Sequence, residues 1–161
     1  MRKFMLGLIL VGGTAVAQPI FMDSEWAKAF CDVWNNTPTL VNELGQNDAW
    51  NEVSERKLFL YRKDCGKDKM VQLTIKNENG KAMCVYGGAK KDERTKNDFL
   101  MYADTKRWLE MGRKEYGPMK AMMFGRLKFK GPKMVAMRNM GPFEAFLDAI
   151  DAVESDTSKC P

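Results

Sequence analysis

The chain contains no histidine. Its absence excludes Ser-His-Asp and Cys-His catalysis, histidine-ligated metals and the usual general base near neutral pH. No two of the four cysteines (Cys31, Cys65, Cys84 and Cys160) stand at CxxC spacing, so the zinc signatures are missing as well. No phosphate-binding glycine loop occurs, and Gly87, Gly88 and Gly112 read as turn or cap glycines. Internal repeats, low-complexity tracts and long linkers are absent, and nothing after residue 17 is long and apolar enough to span a bilayer. The carboxylates offer no pair for acid–base work. Asp148, Asp151 and Glu154 fall on the polar side of a terminal helix, and Glu110 and Glu115 flank a helix end without a partner. These gaps point away from an enzyme and from any cofactor or bound metal.

What is present starts with an export signal. Arg2 and Lys3 precede an apolar run over residues 4 to 11, and Ala15-Val16-Ala17 forms a small-residue cleavage site, so the pattern predicts a signal peptide cut before Gln18. The mature protein is then expected in the periplasm or outside the cell. Removing residues 1 to 17 leaves 144 residues and takes away Arg2 and Lys3, so the formal charge falls from +5 to +3. So mild an excess gives no reason to expect nucleic acid as a partner. In an exported chain, four cysteines fit two disulfides with three connectivities.

Periodicity then divides the chain. Ser24 is an N-cap candidate for a helix whose apolar residues Trp26, Ala29, Phe30 and Val33 recur at helical spacing. Thr37-Pro38 ends it, and residues 40 to 53 carry a second, weaker helical pattern. KLFLYRK (57 to 63) and MVQLTIK (70 to 76) read as strands, and Asn79-Gly80 is a strong hairpin signal leading into KAMCVYG (81 to 87). DFLMYAD gives a fourth strand after a hydrophilic loop; Thr105 is read as the cap of TKRWLEMG. Pro118 opens a short helix that ends at Gly125, RLKFK (126 to 130) alternates as a half-buried fifth strand, and KMVAMRNM forms another short helix. The last helix carries Phe143, Phe146, Leu147, Ile150 and Val153 on one face.

The two-residue turn puts Cys84 opposite Ile75 and Cys65 at the far end of the neighbouring hairpin. At about 3.3 Å per residue their separation is on the order of 20 Å, against a Cα limit of about 7 Å for a bridge. Cys65 to Cys84 is therefore the disfavoured pair. Either Cys31 and Cys160 each take one of these two, or some thiols stay free.

The chain has 13 methionines. Met119, Met122 and Met123 fall on one short helix, while Met134, Met137 and Met140 recur every three residues on the next. Between them Leu127 and Phe129 point one way, and Arg126, Lys128 and Lys130 the other. Spacing alone fits an ordinary core. Methionine, however, specifies a unique packing weakly and suits a surface that adapts to a variable apolar guest. Thioether ligation of Cu(I) is a third chemistry open to it, but both sets are interleaved with core-like residues. The outward basic residues, with Lys133 close by, form either a plain solvated face or a surface for transient contact with anionic lipid head groups.

In their order these motifs resemble the sterol carrier protein 2 (SCP-2) sterol-binding domain family, over roughly Lys57 to Ile150. The most specific stretch is PMKAMMFGRLKFKGPKMVAM, with Pro118, Ala121, Gly125, Leu127, Phe129 and Gly131 as anchors. DFLMYADTKRWLEMG is similar to the family's strand, cap, helix and glycine stop. The resemblance implies an α+β fold with a five-stranded, mostly antiparallel sheet covered on one side by helices. It also implies an internal apolar tunnel for fatty acyl groups, sterols or other lipids, and no catalytic residues. Carried over by position, the implied lining is Met101, Trp108, Met111, Met119, Met122, Met123, Phe124, Leu127, Phe129, Met134, Met137, Phe143, Phe146 and Leu147. Residues 18 to 56, an added helical segment, the cysteines and the polar tail from 155 to 161 depart from the family pattern, leaving 57 to 154 as the lipid-binding domain. The expectation is non-catalytic binding, and transfer, of an apolar ligand. The alternative is a protein-interaction module of the same fold whose core is filled by its own side chains.

Overall fold

The structure is a computed structural model and describes residues 17–161. The expected signal peptide, apart from Ala17, lies outside the described residues. Helix α1 (Ser24–Asn35) opens the fold and buries Trp26, Ala27, Phe30, Cys31 and Trp34. Its cap is Asp23 rather than Ser24: one carboxylate oxygen accepts from the Trp26 N–H at 2.7 Å and the other from the Ile20 N–H at 2.9 Å. The weak helical pattern that follows is realised as a π-helical turn at Thr39–Glu43 and a 3-10 turn at Trp50–Glu52.

Five strands then build one sheet: β1 (Glu55–Arg62), β2 (Val71–Glu78), β3 (Lys81–Ala89), β4 (Phe99–Ala103) and β5 (Lys128–Lys130). Their order is β3-β2-β1-β4-β5. All neighbours are antiparallel except β1 and β4, so after the β1–β2–β3 meander the chain crosses to the other side of β1. Asn79 and Gly80 have φ of 52° and 74°, the left-handed pair that a two-residue primed turn requires. The register sets Ile75 opposite Cys84, as the turn predicts.

After β4 come α2 (Thr105–Gly112), α3 (Pro118–Met123), β5, α4 (Lys133–Met137) and α5 (Met140–Ala149). Thr105 is the first helical residue of α2, not its cap. Its hydroxyl lies 2.8 Å from the Asp64 carboxylate and accepts from Arg62 Nε at 2.7 Å. One main core joins α1, the turns after it, α2 and α5 to the sheet face carrying Leu58, Leu60, Leu73, Ile75, Phe99 and Met101. On the opposite face Phe59, Tyr61 and Leu100 form a smaller cluster, where Tyr61 stacks on Tyr102 at 4.8 Å. The hydrophilic loop before β4 is tied to this face: the Gln72 side-chain oxygen accepts from the Lys91 and Asp92 N–H groups, and its amide donates to Asp92.

Two disulfides fasten the N-terminal helix and the C-terminal tail. Cys31–Cys84 bridges α1 to β3, and Cys65–Cys160 ties the tail to the turn after β1. This pairing avoids Cys65–Cys84, as strand geometry requires, and no thiol is left free among the described residues. Around the first bridge the Asn35 amide donates to the Cys84 carbonyl at 2.9 Å and accepts from the Cys84 N–H at 2.8 Å, while Trp34 Nε1 donates to the Ala82 carbonyl. Helix α1 is thus held on the sheet at backbone level.

Two buried arginines complete the fastening from opposite ends of β1. Arg56 donates to the carbonyls of Trp50, Ala49 and Asn97 and lies over the Trp50 ring. Arg62 donates to Thr105 and to the carbonyls of Phe21, Thr157 and Lys159. Neither forms a salt bridge among the described residues. Burial lowers both guanidinium pKa values, against the opposite pull of nearby carboxylates, and the carbonyl shells satisfy the charge.

Candidate ligand-binding site

Apolar space occurs in two adjoining places. The inner one is a void of about 50 Å³ between the sheet, α5 and the segment after α1. Trp34, Leu40, Leu44 and Trp50 wall it from the N-terminal side, Leu58, Phe99, Met101 and Phe129 from the sheet, and Val135, Ala136, Pro142, Phe143 and Phe146 from the helices. Asn139 is its polar lining residue, and the Asn139 amide is satisfied by the Val135 carbonyl and Asn47. A cavity of roughly 150 Å³ is needed for benzene. The inner void is too small for an alkyl chain.

The outer space is an open groove of about 400 Å³ at the surface. Met119, Met122 and Met123 of α3, Gly125, Leu127, Lys128 and Phe129 of the following turn and β5, and Lys133, Ala136 and Met137 of α4 line it. Its volume lies within the about 300–1,000 Å³ usual for small-molecule sites. The local sequence explains its shape. Pro118 starts α3, Gly125 at φ 67° reverses the chain, and β5 runs back antiparallel to β4 with Phe129 opposite Met101. A second break at Gly131-Pro132 starts α4. The two short helices therefore flank one short edge strand.

Phe129 and Ala136 belong to both linings, so they form the partition between groove and void. Phe129 is held between Phe99 at 5.6 Å and Phe143 at 5.8 Å. Only two ionisable side chains line the groove, Lys128 and Lys133. No cluster of metal-ligating side chains occurs among the described residues.

The expected lining residues divide into three groups. Met101, Phe129, Phe143 and Phe146 meet at the inner void; Met119, Met122, Met123, Leu127, Phe129 and Met137 meet at the groove. Trp108, Met111 and Leu147 are buried but line neither space, and Trp108 Nε1 donates to the Tyr61 carbonyl. Phe124 and Met134 are exposed and also line neither. Of the expected methionines, Met119, Met122, Met123 and Met137 thus wall the groove, and Met101 lines the smaller space beside it. Trp34, Leu40, Leu44 and Trp50 occupy the room between sheet and α5, and the Cys31–Cys84 bridge keeps them there. The sequence signal for this was the tryptophan content of residues 18 to 56, which the resemblance left without a role.

The sequence pattern of the SCP-2 sterol transfer family matches residues 41–144. The match begins after Trp34 and Leu40, so part of the wall filling the interior comes from outside it. No curated protein matches the chain in sequence. Among solved structures, a crystal structure of sterol carrier protein 2 superposes with a TM-score of 0.56 at 19% identity, covering 83% of this chain and 98% of its own. A conserved hypothetical protein and suggested sterol carrier protein from Thermus thermophilus superposes at 0.54 and 19% identity, covering 93% of this chain and 100% of its own. At these identities the likeness is one of fold.

Proposed function

The chain belongs to the SCP-2 sterol transfer family, and from that premise we propose that it binds, and passes on, a lipid or other apolar ligand without catalysing a reaction. The observation that carries this reading is the methionine groove ending on the Phe129 and Ala136 partition. Flexible thioethers adapt to an alkyl or ring surface, and each buried methylene contributes about 0.8 kcal/mol, so a ligand can be held with few polar contacts. The ligand lies along Met119, Met122, Met123 and Met137, with its apolar end against Phe129. The groove wall offers two lysines and no carboxylate, hydroxyl or thiol, in keeping with binding rather than chemistry. Lys128 and Lys133 suit transient contact with an anionic membrane surface. Two disulfides fit an oxidising compartment; with residues 1 to 17 read as a signal peptide, the protein works in the periplasm or outside the cell.

Native mass spectrometry and lipid extraction of protein purified from its export compartment test the reading. A defined co-purifying lipid is expected, and its loss from Met137→Trp, whose bulk enters the groove from a partly exposed position, with little change in thermal stability. Ligand-free protein that also ignores fluorescent fatty-acid probes would end it. The 50 Å³ interior favours the second reading, a protein-interaction module of the same fold with a filled core; that ligand-free outcome would select it.

A further inference from the structure

Six large apolar side chains are exposed among the described residues, and five of them (Met119, Met123, Phe124, Met134 and Met137) fall between residues 119 and 137. Met123 is 71% exposed, Met134 65% and Phe124 63%. Concentration of this kind on one face marks an interaction surface. Gly125, at φ 67°, turns the chain immediately after Phe124 and leaves that ring at the tip of the bend from α3 into β5.

The charge of the same stretch is one-sided. Residues 116 to 143 contain Lys120, Arg126, Lys128, Lys130, Lys133 and Arg138 and no acidic residue. The whole chain has 26 basic and 21 acidic residues, so the other 133 residues hold 20 basic against 21 acidic. The net positive charge of the protein is thus concentrated in the stretch that exposes the methionines. None of the six cations forms a salt bridge among the described residues. Arg126 instead lies over the rings of Tyr116 at 4.5 Å and Phe124 at 5.8 Å, a basic group beside the most prominent aromatic.

We propose that the face made by α3, β5 and α4 docks on an anionic lipid bilayer, with Phe124, Met123 and Met134 entering the head-group layer and the surrounding lysines and arginines pairing with lipid phosphates. Apolar tips with Arg126 over the Phe124 ring and Lys120 one helical turn before it match the two layers of such a surface, hydrocarbon beneath and negative charge above. A second copy of the chain does not fit this face, because self-association would set the same cations against each other, and residues 116 to 143 supply no carboxylate to offset them. Docking stands whether or not the groove carries a ligand. Its consequence, that the groove opens toward the membrane and exchanges lipid there, rests on the lipid-binding reading.

The test is co-sedimentation of the full mature chain with vesicles of phosphatidylglycerol mixed equally with phosphatidylcholine, and with vesicles of phosphatidylcholine alone. Binding is expected to the anionic vesicles, to weaken by about tenfold or more on the neutral ones, and to fall with added salt. Phe124→Glu/Met134→Glu changes two exposed residues outside the groove lining, so it is expected to keep the melting curve and the uptake of a fluorescent fatty acid while losing vesicle binding. Lys120→Glu/Arg126→Glu is expected to remove the preference for anionic lipid. Failure to bind anionic vesicles, or equal binding by both double variants, overturns the proposal. A dimer in solution that Phe124→Glu/Met134→Glu converts to monomer overturns it in favour of a second copy. Vesicle binding without probe uptake leaves docking standing and removes the carrier reading; uptake without vesicle binding does the reverse.

Discussion

Arg62 donates to four acceptors drawn from α2, the N-terminal segment and the C-terminal tail, so one planar cation joins three parts of the chain. A lysine carries the charge but not the fork. Arg62→Lys should therefore lower unfolding free energy by about 2–3 kcal/mol through stranded carbonyls, measurable by urea titration, with the fold otherwise retained. Asp98 makes a similar junction with the opposite charge. Its carboxylate accepts from the Thr95 N–H at 2.7 Å and the Lys57 N–H at 2.9 Å and pairs with Lys57 Nζ at 3.2 Å. Burial pushes its pKa up, but the hydrogen bonds from Thr95 and Lys57 outweigh burial and hold it below the ordinary value. A depressed folded pKa adds stability above the unfolded value of about 3.9 and loses it as pH falls through the folded value. The gap in melting temperature between wild type and Asp98→Asn should thus be widest near neutrality and close progressively below about pH 4. At this scale the sequence placed Met119, Met122 and Met123 on one short helix facing the groove, while Met140 begins α5 rather than sharing α4 with Met134 and Met137. It did not reveal whether that face is covered, because coverage depends on where distant segments such as the one holding Trp34 and Trp50 come to rest.

Helix α1 meets β3 so closely that only glycine fits at the contact. A Cβ added to Gly87 would collide with the Ala27 carbonyl and stand 2.8 Å from Cys31 Cβ. Because both neighbours are rigid (one backbone, one anchored in a disulfide), Gly87→Ala should cost about 1–3 kcal/mol by overpacking. Differential scanning calorimetry should register the loss, and an unchanged transition would show that α1 can slide. The elements themselves were well marked where local chemistry decides them. Asn79-Gly80 announced its turn, and with it the register that sets Cys84 opposite Ile75. Pro118, Gly125 and Gly131 marked the bounds of α3 and β5. Residues 40 to 53 were harder to read. Their helical pattern is broken into two turns whose shape is fixed by tertiary partners, Trp50 Nε1 donating to Asn77 and its ring stacking on Phe99 at 5.9 Å. The caps were one residue off at α1 and α2: Asp23 takes the capping bond at α1, and at α2 Thr105 is drawn into the helix while its N–H and hydroxyl bind the Asp64 carboxylate.

Over the whole molecule, the division of apolar space follows from where α1 and the segment after it pack against the sheet and α5. Phe129 is the hinge of that division because it lines both spaces. Phe129→Ala should join them into one larger site, extending the length of fluorescent acyl probe retained while lowering stability by about 2 kcal/mol. Unaltered chain-length preference would mean that the two spaces stay separate. The fold class and the family were legible from ordered motifs, whereas the filling of the interior required knowing that Trp34, Leu40, Leu44 and Trp50 converge. The two covalent bridges have a further consequence. Cys65 lies inside the span closed by Cys31 and Cys84, and Cys84 lies inside the span closed by Cys65 and Cys160, so the rings interlock along the sequence. Every peptide bond between residues 31 and 160 belongs to at least one ring. A protease that nicks the chain once anywhere in that stretch leaves both fragments tethered, and the damage appears on a gel only after a reductant is added.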